Sequence, residues 1–449
     1  MSTRIEVAPL SGAQGAALAG LRVVEFGFAA AGPLVGKYLA DHGAEVIHVE
    51  SATAPDPFRT AYPPFKDNIP GLDRAGMFAF YNQGKLGVSL DLKHARGPEL
   101  ARALIAKADV VIESFTPGHM AKWGLDHQRL LGERPDLVML SSCNQGQTGP
   151  HARIPGYGSQ LTALAGFLHL LGEEDGTPVL LYGPYIDYIA VGHGVAAVLA
   201  ALLRRRLTGQ GCYIDLSQYE SGLQFVTPAL LEHAANGTVP SRVGDRDLVA
   251  VPHGVYRCAD VRSGPALPAP SEPLSPDVRS GPALPAPSEP LSKDRWCALS
   301  VWDDDEWSRL GTALGSPAWA CERRLATALG RRANEAELDR LIGEHVGTLD
   351  RDRVCADLRA ANVHAAPVLT ISELFSEPQL ASRRFWRSLP HEVLGTVVGM
   401  APPFTLSATP ARLERAGPLL GADNERVFGE LLGLGREGVR RLRDEGVLA

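Results

Sequence analysis

The stretch LRVVEFGFAAAGPLVGKYLADHGAEVIHVE, residues 21–50, decides the fold. Residues 21–26 form a short apolar run that predicts a buried strand, residues 32–42 carry apolar side chains at helical spacing, and residues 45–50 predict a second strand. Strand, helix, strand in that order is a βαβ unit, whose two strands run parallel. The turn inside it is not a dinucleotide fingerprint. Gly27 and Gly32 are separated by four residues, so GFAAAG lacks the GxGxxG spacing that brings backbone amides against a pyrophosphate, even with Glu50 closing the second strand. The same rhythm continues outward: residues 85–92 are strand-like, 97–108 helical, 109–113 strand-like, and 136–142 another apolar run. Alternation of this kind implies an α/β fold, a Rossmann-like, mostly parallel sheet with helices on both faces. Residues 187–206 predict the longest helix, Ala- and Leu-rich in its centre, with three arginines at its C-terminal end, where positive charge complements the helix dipole.

A chain of 449 residues with 45% hydrophobic content can bury a large core and predicts two to three domains. The net charge of -7 argues against nucleic-acid binding, which needs many Lys and Arg against phosphates. Cys143, Cys212, Cys258, Cys297, Cys321 and Cys355 show no CxxC spacing, so neither a metal site nor a disulfide framework is indicated, and reduced thiols are expected. No basic-then-apolar leader opens the chain, and no run is read as a membrane span. The expectation is a cytoplasmic protein.

Beyond residue 240 the texture changes. Residues 254–258 and 296–301 predict paired strands, and helical segments follow to Ala361. Between them the unit DVRSGPALPAPSEPLS occurs twice around Pro276, a Pro-, Ser- and Gly-rich composition that cannot build a packed core. This insertion, residues 260–292, is expected to be disordered at the tip of a hairpin. From Ala366 strand and helix signals alternate again. The expected organisation is a large Rossmann-like domain at 1–240, a small inserted α+β domain at 241–365, and a return to the large domain at 366–449.

Few motifs carry chemistry by themselves. GYGSQ at residues 156–160 departs from the GxSxG nucleophile elbow, because Gly158 stands at the nucleophile's place. His193 falls inside the long helix with no partner beside it in sequence and reads as a packed residue, whereas His253 precedes Gly254 in a predicted loop, where a turn role and a substrate contact stay open. Asp187 starts the long helix between aromatic and apolar neighbours. Its residue type allows a helix N-cap or a carboxylate nucleophile, and the two roles are compatible.

Taken together, LAGLRVVEFG and AGPLVGKYLADHGAEVIHVE (residues 18–50), NQGKLGVSLDLK (82–93), ADVVIESFTPG (108–118), GQTGP (146–150), PGYGSQLTALAG (155–166), GPYIDYIAVGHG and RRRLTGQGCYIDLS resemble the class III, CaiB/BaiF-type coenzyme A transferases in order and spacing. The resemblance spans nearly everything but the repeat. It implies that Asp187 is the covalent nucleophile, that coenzyme A is a co-substrate with no tightly bound cofactor and no metal, and that acyl-CoA and carboxylic acids are the substrates. It implies CoA contacts at Phe28, Ala29, Ala30, Leu90, Lys93, Ser114, Phe115, Thr116, Lys122 and Trp123, substrate contacts at Tyr157 and His253, and an interlocked homodimer. The chain departs from the formyl-CoA branch at Ala30, at Ser51 and in VAVPHG (249–254), which replaces a glycine-rich flap. The α-methylacyl-CoA racemases share the resemblance but place a histidine where Tyr157 stands. A non-catalytic CoA-binding subunit of a heteromeric transferase is the other alternative.

Overall fold

Strands β1 (Arg22–Phe26), β2 (Glu45–Glu50), β3 (Leu86–Ser89), β4 (Val110–Glu113), β5 (Val138–Cys143) and β6 (Cys212–Ser217) form one sheet in the order β3-β2-β1-β4-β5-β6. Every pairing in it is parallel. The computed structural model describes residues 15–260 and 294–449. Alternate residues of each strand face opposite sides, as the pleat requires. Val24, Phe26, Ile47, Val111 and Met139 pack with Leu100 and Leu104 of the helix Gly97–Ile105 on one face. Val23, Val46, Val110, Ile112, Val138 and Leu140 pack on the other with Leu34, Val35 and Leu39 of the helix Ala31–Asp41 and with Val191, Val198 and Ala201 of the long helix Tyr185–Thr208. Both faces are buried, which is why these strands read as continuous apolar runs.

The long helix approaches its neighbours closely because of Gly194. A Cβ there would lie 2.9 Å from Val35 Cγ2 and 3.2 Å from Leu216 Cδ2. The expectation that no segment has the character of a membrane span needs correction, since by length and composition this 24-residue helix could cross one, an 18-residue stretch of it having a mean hydropathy of 1.8. The physical reason is that one side of it, through Val191, Val198 and Ala201, fills the core of the sheet, while Leu199 and Leu203 on the exposed side are apolar as well.

The larger unit holds the chain up to Leu168, Leu180–Val239 and Arg384–Ala449; the smaller holds His169–Val179 and Pro240–Arg383. In the smaller unit β7 (His253–Arg257), β8 (Trp296–Ser300) and β9 (His364–Val368) make an antiparallel sheet. Leu299, Trp307, Leu310, Ile342 and Leu358 build its core with helices Asp304–Ala313, Glu335–Val346 and Arg351–Ala360. The strand signal near 366 belongs to β9, where Ala366 pairs with Ala298, so the chain rejoins the larger unit at Arg384 rather than at 366. Apart from Asp260, the tandem repeat lies outside the described residues.

No strand after Arg384 joins the parallel sheet. Trp386–His391 and Gly395–Met400 pair only with each other. The final segments, the wide helix Glu425–Leu431 and the helix Gly435–Asp444, bring Val427, Phe428, Val439 and Leu442 against the sheet face that carries Val24 and Phe26.

Candidate active site

The winding of the sheet reverses between β1 and β4, and ligands of open α/β sheets bind in the crevice beyond the C-terminal ends of such strands. Here β1 runs out into Gly27 and Phe28, and β4 into Ser114. Ser114 Oγ accepts the Phe28 N–H at 3.1 Å, and Asp56 Oδ2 accepts the Ala29 N–H at 2.8 Å. Ala29 has a φ of 59°, a left-handed conformation that costs a residue with a Cβ roughly 1–2 kcal/mol. The loop 28–31 is therefore tied down on both sides before it enters the helix Ala31–Asp41.

Two cavities flank this loop within the larger unit, and Phe28 and Thr116 line both. The first, of about 220 Å³, is lined by Ala29, Ala30, Ser114, Tyr157, Asp187 and Gln218, among others. Asp187 lies in the first turn of the long helix, whose cap position belongs to Pro184, and no side chain bonds there. The N-cap reading of Asp187 is thus corrected: the helix starts at Tyr185, two residues earlier than expected, because the Gly183-Pro184 turn sets its entry. Burial alone pushes the half-buried Asp187 carboxyl up to about 7, since neither a cation nor an N–H donor offsets the loss of water. Gly158, the first residue of the helix Gly158–Leu164, makes room for it: a Cβ there would sit 3.0 Å from Asp187 Cγ and 2.7 Å from Pro184 Cβ. Among the described residues lining this cavity Asp187 is the one carboxylate, and no histidine joins it. Tyr157 stands at the rim, largely exposed, its N–H donating to Gln160 Oε1 at 2.9 Å.

The second cavity, of about 380 Å³, carries Leu90, Lys93, Phe115 and Trp123 from the expected set, together with Ser51. Phe115 packs edge-on against Trp123 with centroids 5.4 Å apart, and the Phe28 ring lies tilted 5.8 Å from Phe115. These rings form an apolar, aromatic wall, a surface on which a flat heterocycle can stack. Lys93 is exposed at the rim, free to meet an anion without first losing its hydration.

Two expected residues do not line either of these cavities of the larger unit. Lys122 is exposed at the end of the helix His119–Lys122 and lines neither cavity, because that turn buries Met120 and carries Lys122 outward. His253 begins β7 in the smaller unit, where it lines a cavity of about 620 Å³ with His364 and Arg359. Sequence reading also missed participants. His119 completes the aromatic wall, 6.2 Å from Phe115 and 6.3 Å from Trp123, while Asp56 holds Ala29 and Gln218 lines the Asp187 cavity. His119 was signalled by its spacing, four residues before Trp123 on one helical face. Asp56 and Gln218 reach the loop and the cavity through long-range packing, which leaves no local pattern. Among the described residues no cluster of three or more His, Cys, Asp or Glu is placed to hold a metal ion.

The model of CoA-transferase family III matches residues 18–264 and 290–424. The chain is similar to the succinate–glutarate CoA-transferase of Agrobacterium fabrum, 30% identical over 92% of this chain and 95% of that one. It is also similar to the alpha subunit of the succinyl-CoA–L-malate CoA-transferase of Chloroflexus aurantiacus, 29% identical over 98% and 94% of the two chains. Among solved structures it resembles a CaiB/BaiF family protein from Brucella suis, with a TM-score of 0.79 at 29% identity over 93% of this chain and all of that one.

Proposed function

Because this chain belongs to CoA-transferase family III, we propose that it moves coenzyme A from an acyl-CoA to a free carboxylic acid through covalent intermediates on Asp187. The observation that carries this reading is a desolvated carboxylate with no neutralising partner, lining a cavity that shares Phe28 and Thr116 with an aromatic-walled one. In the first step an Asp187 oxygen attacks the thioester carbonyl, the carbon–sulfur bond breaks, and a mixed anhydride and CoA thiolate form. The thiolate then attacks the aspartyl carbonyl, releasing the donor acid and leaving an aspartyl-CoA thioester. The acceptor carboxylate attacks that thioester, giving a second anhydride and thiolate. Attack of the thiolate on the acceptor's carbonyl yields the new acyl-CoA and the free Asp187 carboxylate. No net proton is consumed. Each anhydride keeps its acyl group activated, provided water is kept away.

In this reading coenzyme A occupies the second cavity, its adenine against Phe115, His119 and Trp123 and a phosphate near Lys93. The acyl group faces Ala30 and Tyr157 beside Asp187. A racemase needs two groups exchanging a proton on opposite faces of one carbon, and a single carboxylate without a histidine does not supply them. The purified chain, given an acyl-CoA and a panel of isotopically labelled acids, should produce labelled acyl-CoA by mass spectrometry. A 2-methylacyl-CoA in deuterated water should gain no α-deuterium on that timescale. No exchange by the chain alone would turn the reading toward a non-catalytic subunit, and α-deuteration as fast as exchange would turn it toward a racemase.

We also propose a homodimer. Leu199, Leu203 and Leu207 repeat every four residues along the long helix and are exposed, and Phe225, Leu230 and Leu231 are exposed in the segment that follows β6. One helical face of three solvent-facing leucines is more apolar surface than a monomer leaves uncovered without use. Sedimentation velocity should give twice the chain mass at assay concentration, and Leu203→Glu with Leu207→Glu should shift it toward one. An active single chain that sediments at the chain mass would refute the dimer.

A further inference from the structure

We propose that Asp56 is a positioning residue for the transfer, its carboxylate fixing the loop 28–31 that stands between the nucleophile's cavity and the aromatic one. The argument starts from Ala29. A left-handed residue with a Cβ relaxes unless its surroundings hold it, and such residues persist where the strained shape has a use. What holds this one is Asp56 Oδ2, 2.8 Å from the Ala29 nitrogen. The residues on either side of Ala29 are the ones in use: Phe28 lines both cavities, and Ala30 lines that of Asp187.

Asp56 is itself held on several sides. It is buried, its Oδ1 accepts the Phe58 N–H at 2.7 Å, and its own N–H donates to Glu50 Oε1 at 2.8 Å. Glu50 is gripped in turn by Arg59, whose Nε lies 3.0 Å and 2.9 Å from the two carboxylate oxygens. The Arg59 guanidinium stacks 3.4 Å above the Phe78 ring and donates to the Leu72 and Pro418 carbonyls at 3.0 Å each. Loop, carboxylate and arginine thus form one braced unit. Each Asp56 oxygen faces a backbone N–H donor, Ala29 on Oδ2 and Phe58 on Oδ1, and no ion pair reaches the group among the described residues, so its hydrogen bonds serve the backbone.

The charged groups around Asp56 are His48 and Glu50 on β2, Lys85 before β3, and Arg59 on its own helix. Burial outweighs them and pushes the Asp56 carboxyl up to about 6. A proton on either oxygen weakens the group as an acceptor, so the ionised form holds Ala29 and Phe58 most firmly.

The test is Asp56→Asn, which offers one acceptor to two donors and turns an NH₂ on the other. Amide hydrogen exchange at Ala29 should accelerate at least tenfold, kcat should fall at least tenfold, and the Kd for free CoA should stay within threefold. A residue that only stabilises the fold would lower the melting temperature and leave kcat per folded chain intact. Unchanged exchange at Ala29, or a kcat within twofold of wild type, overturns the proposal. Should the variant not fold, the wild-type profile decides: log(kcat/KM) should fall with slope one below the nucleophile's pKa and steepen toward two below pH 6, and a constant slope of one down to pH 5 overturns it. The inference rests on the transfer reading, but amide exchange does not depend on turnover, so a chain that transfers nothing sinks that reading and leaves this one still to be decided by exchange.

Discussion

Asp187→Asn is expected to remove transfer, lowering kcat by at least a thousandfold, while the protein stays folded and gains stability at pH 8. A neutral amide cannot form the anhydride, so the covalent route closes altogether rather than slowing. The stability change runs in the opposite direction for a stated reason. Burial raises the folded-state pKa of Asp187 to about 7, above the roughly 3.9 of a solvated aspartate. Between those values the unfolded chain has given up its proton and the folded one has not, so stability falls as pH rises from about 4 to about 7. Asn carries no charge to desolvate and should recover about 1–2 kcal/mol at pH 8, after discounting for the water that reaches the half-buried side chain. At pH 4 the two proteins should unfold alike. In wild type, kcat/KM should fall below pH 7 as the proton occupies the nucleophile, and hydroxylamine with a donor acyl-CoA should leave a hydroxamate on the peptide that holds Asp187. Near-normal turnover in the Asn variant, with no adduct on that peptide, would remove Asp187 from the chemistry.

What the sequence discloses of this molecule follows from the range of the physical signals. Residues 21–26 and 45–50 are buried on both faces, so they read as apolar runs and are found as β1 and β2 to within a residue. β6 gives no such apolar run, because CYIDLS is only half-buried, at the sheet's edge, with Asp215 exposed in its middle. At residue 366 the sequence signals a strand but not its sheet, because alternation reports a pleat and says nothing of which partner it joins. The gathering of Phe28, Ala30, Ser114, Thr116, Tyr157 and Asp187 around one cavity came from a resemblance of ordered segments. No spacing rule links residue 28 to residue 187. Asp56 shows the limit most clearly: in sequence it is an acid before a proline, and its bond to Ala29 crosses 27 residues.

Lys85→Met should cost about 3–5 kcal/mol of stability, the usual penalty for stripping a buried charge of its partner. Lys85 and Glu25 are fully buried, and Lys85 Nζ lies 2.7 Å and 3.0 Å from the Glu25 oxygens, 2.7 Å from the Pro33 carbonyl and 2.9 Å from Asn82 Oδ1. His48 Nδ1 lies 2.7 Å from Glu25 on the adjoining strand, where the two residues are in register. There is no slack around the pair, since a Cβ on Gly36 would stand 1.8 Å from Glu25 Oε2. Methionine matches the lysine stem in length, so packing survives and the loss isolates the charge. Lys85 and His48 hold the Glu25 carboxyl below its ordinary range despite burial. Without Lys85 that pKa should rise above the unfolded value, so stability is lost as pH climbs through it, and the deficit should be largest near pH 7 and shrink toward pH 5. Adding Glu25→Gln should restore most of the loss, because removing both charges of a buried pair is often close to neutral. Denaturant unfolding of the two single variants and the double, at both pH values, measures the coupling directly. A Lys85→Met protein within about 1 kcal/mol of wild type at pH 7, with no pH dependence of the difference, would mean that the buried pair is solvated or screened in a way this geometry does not allow.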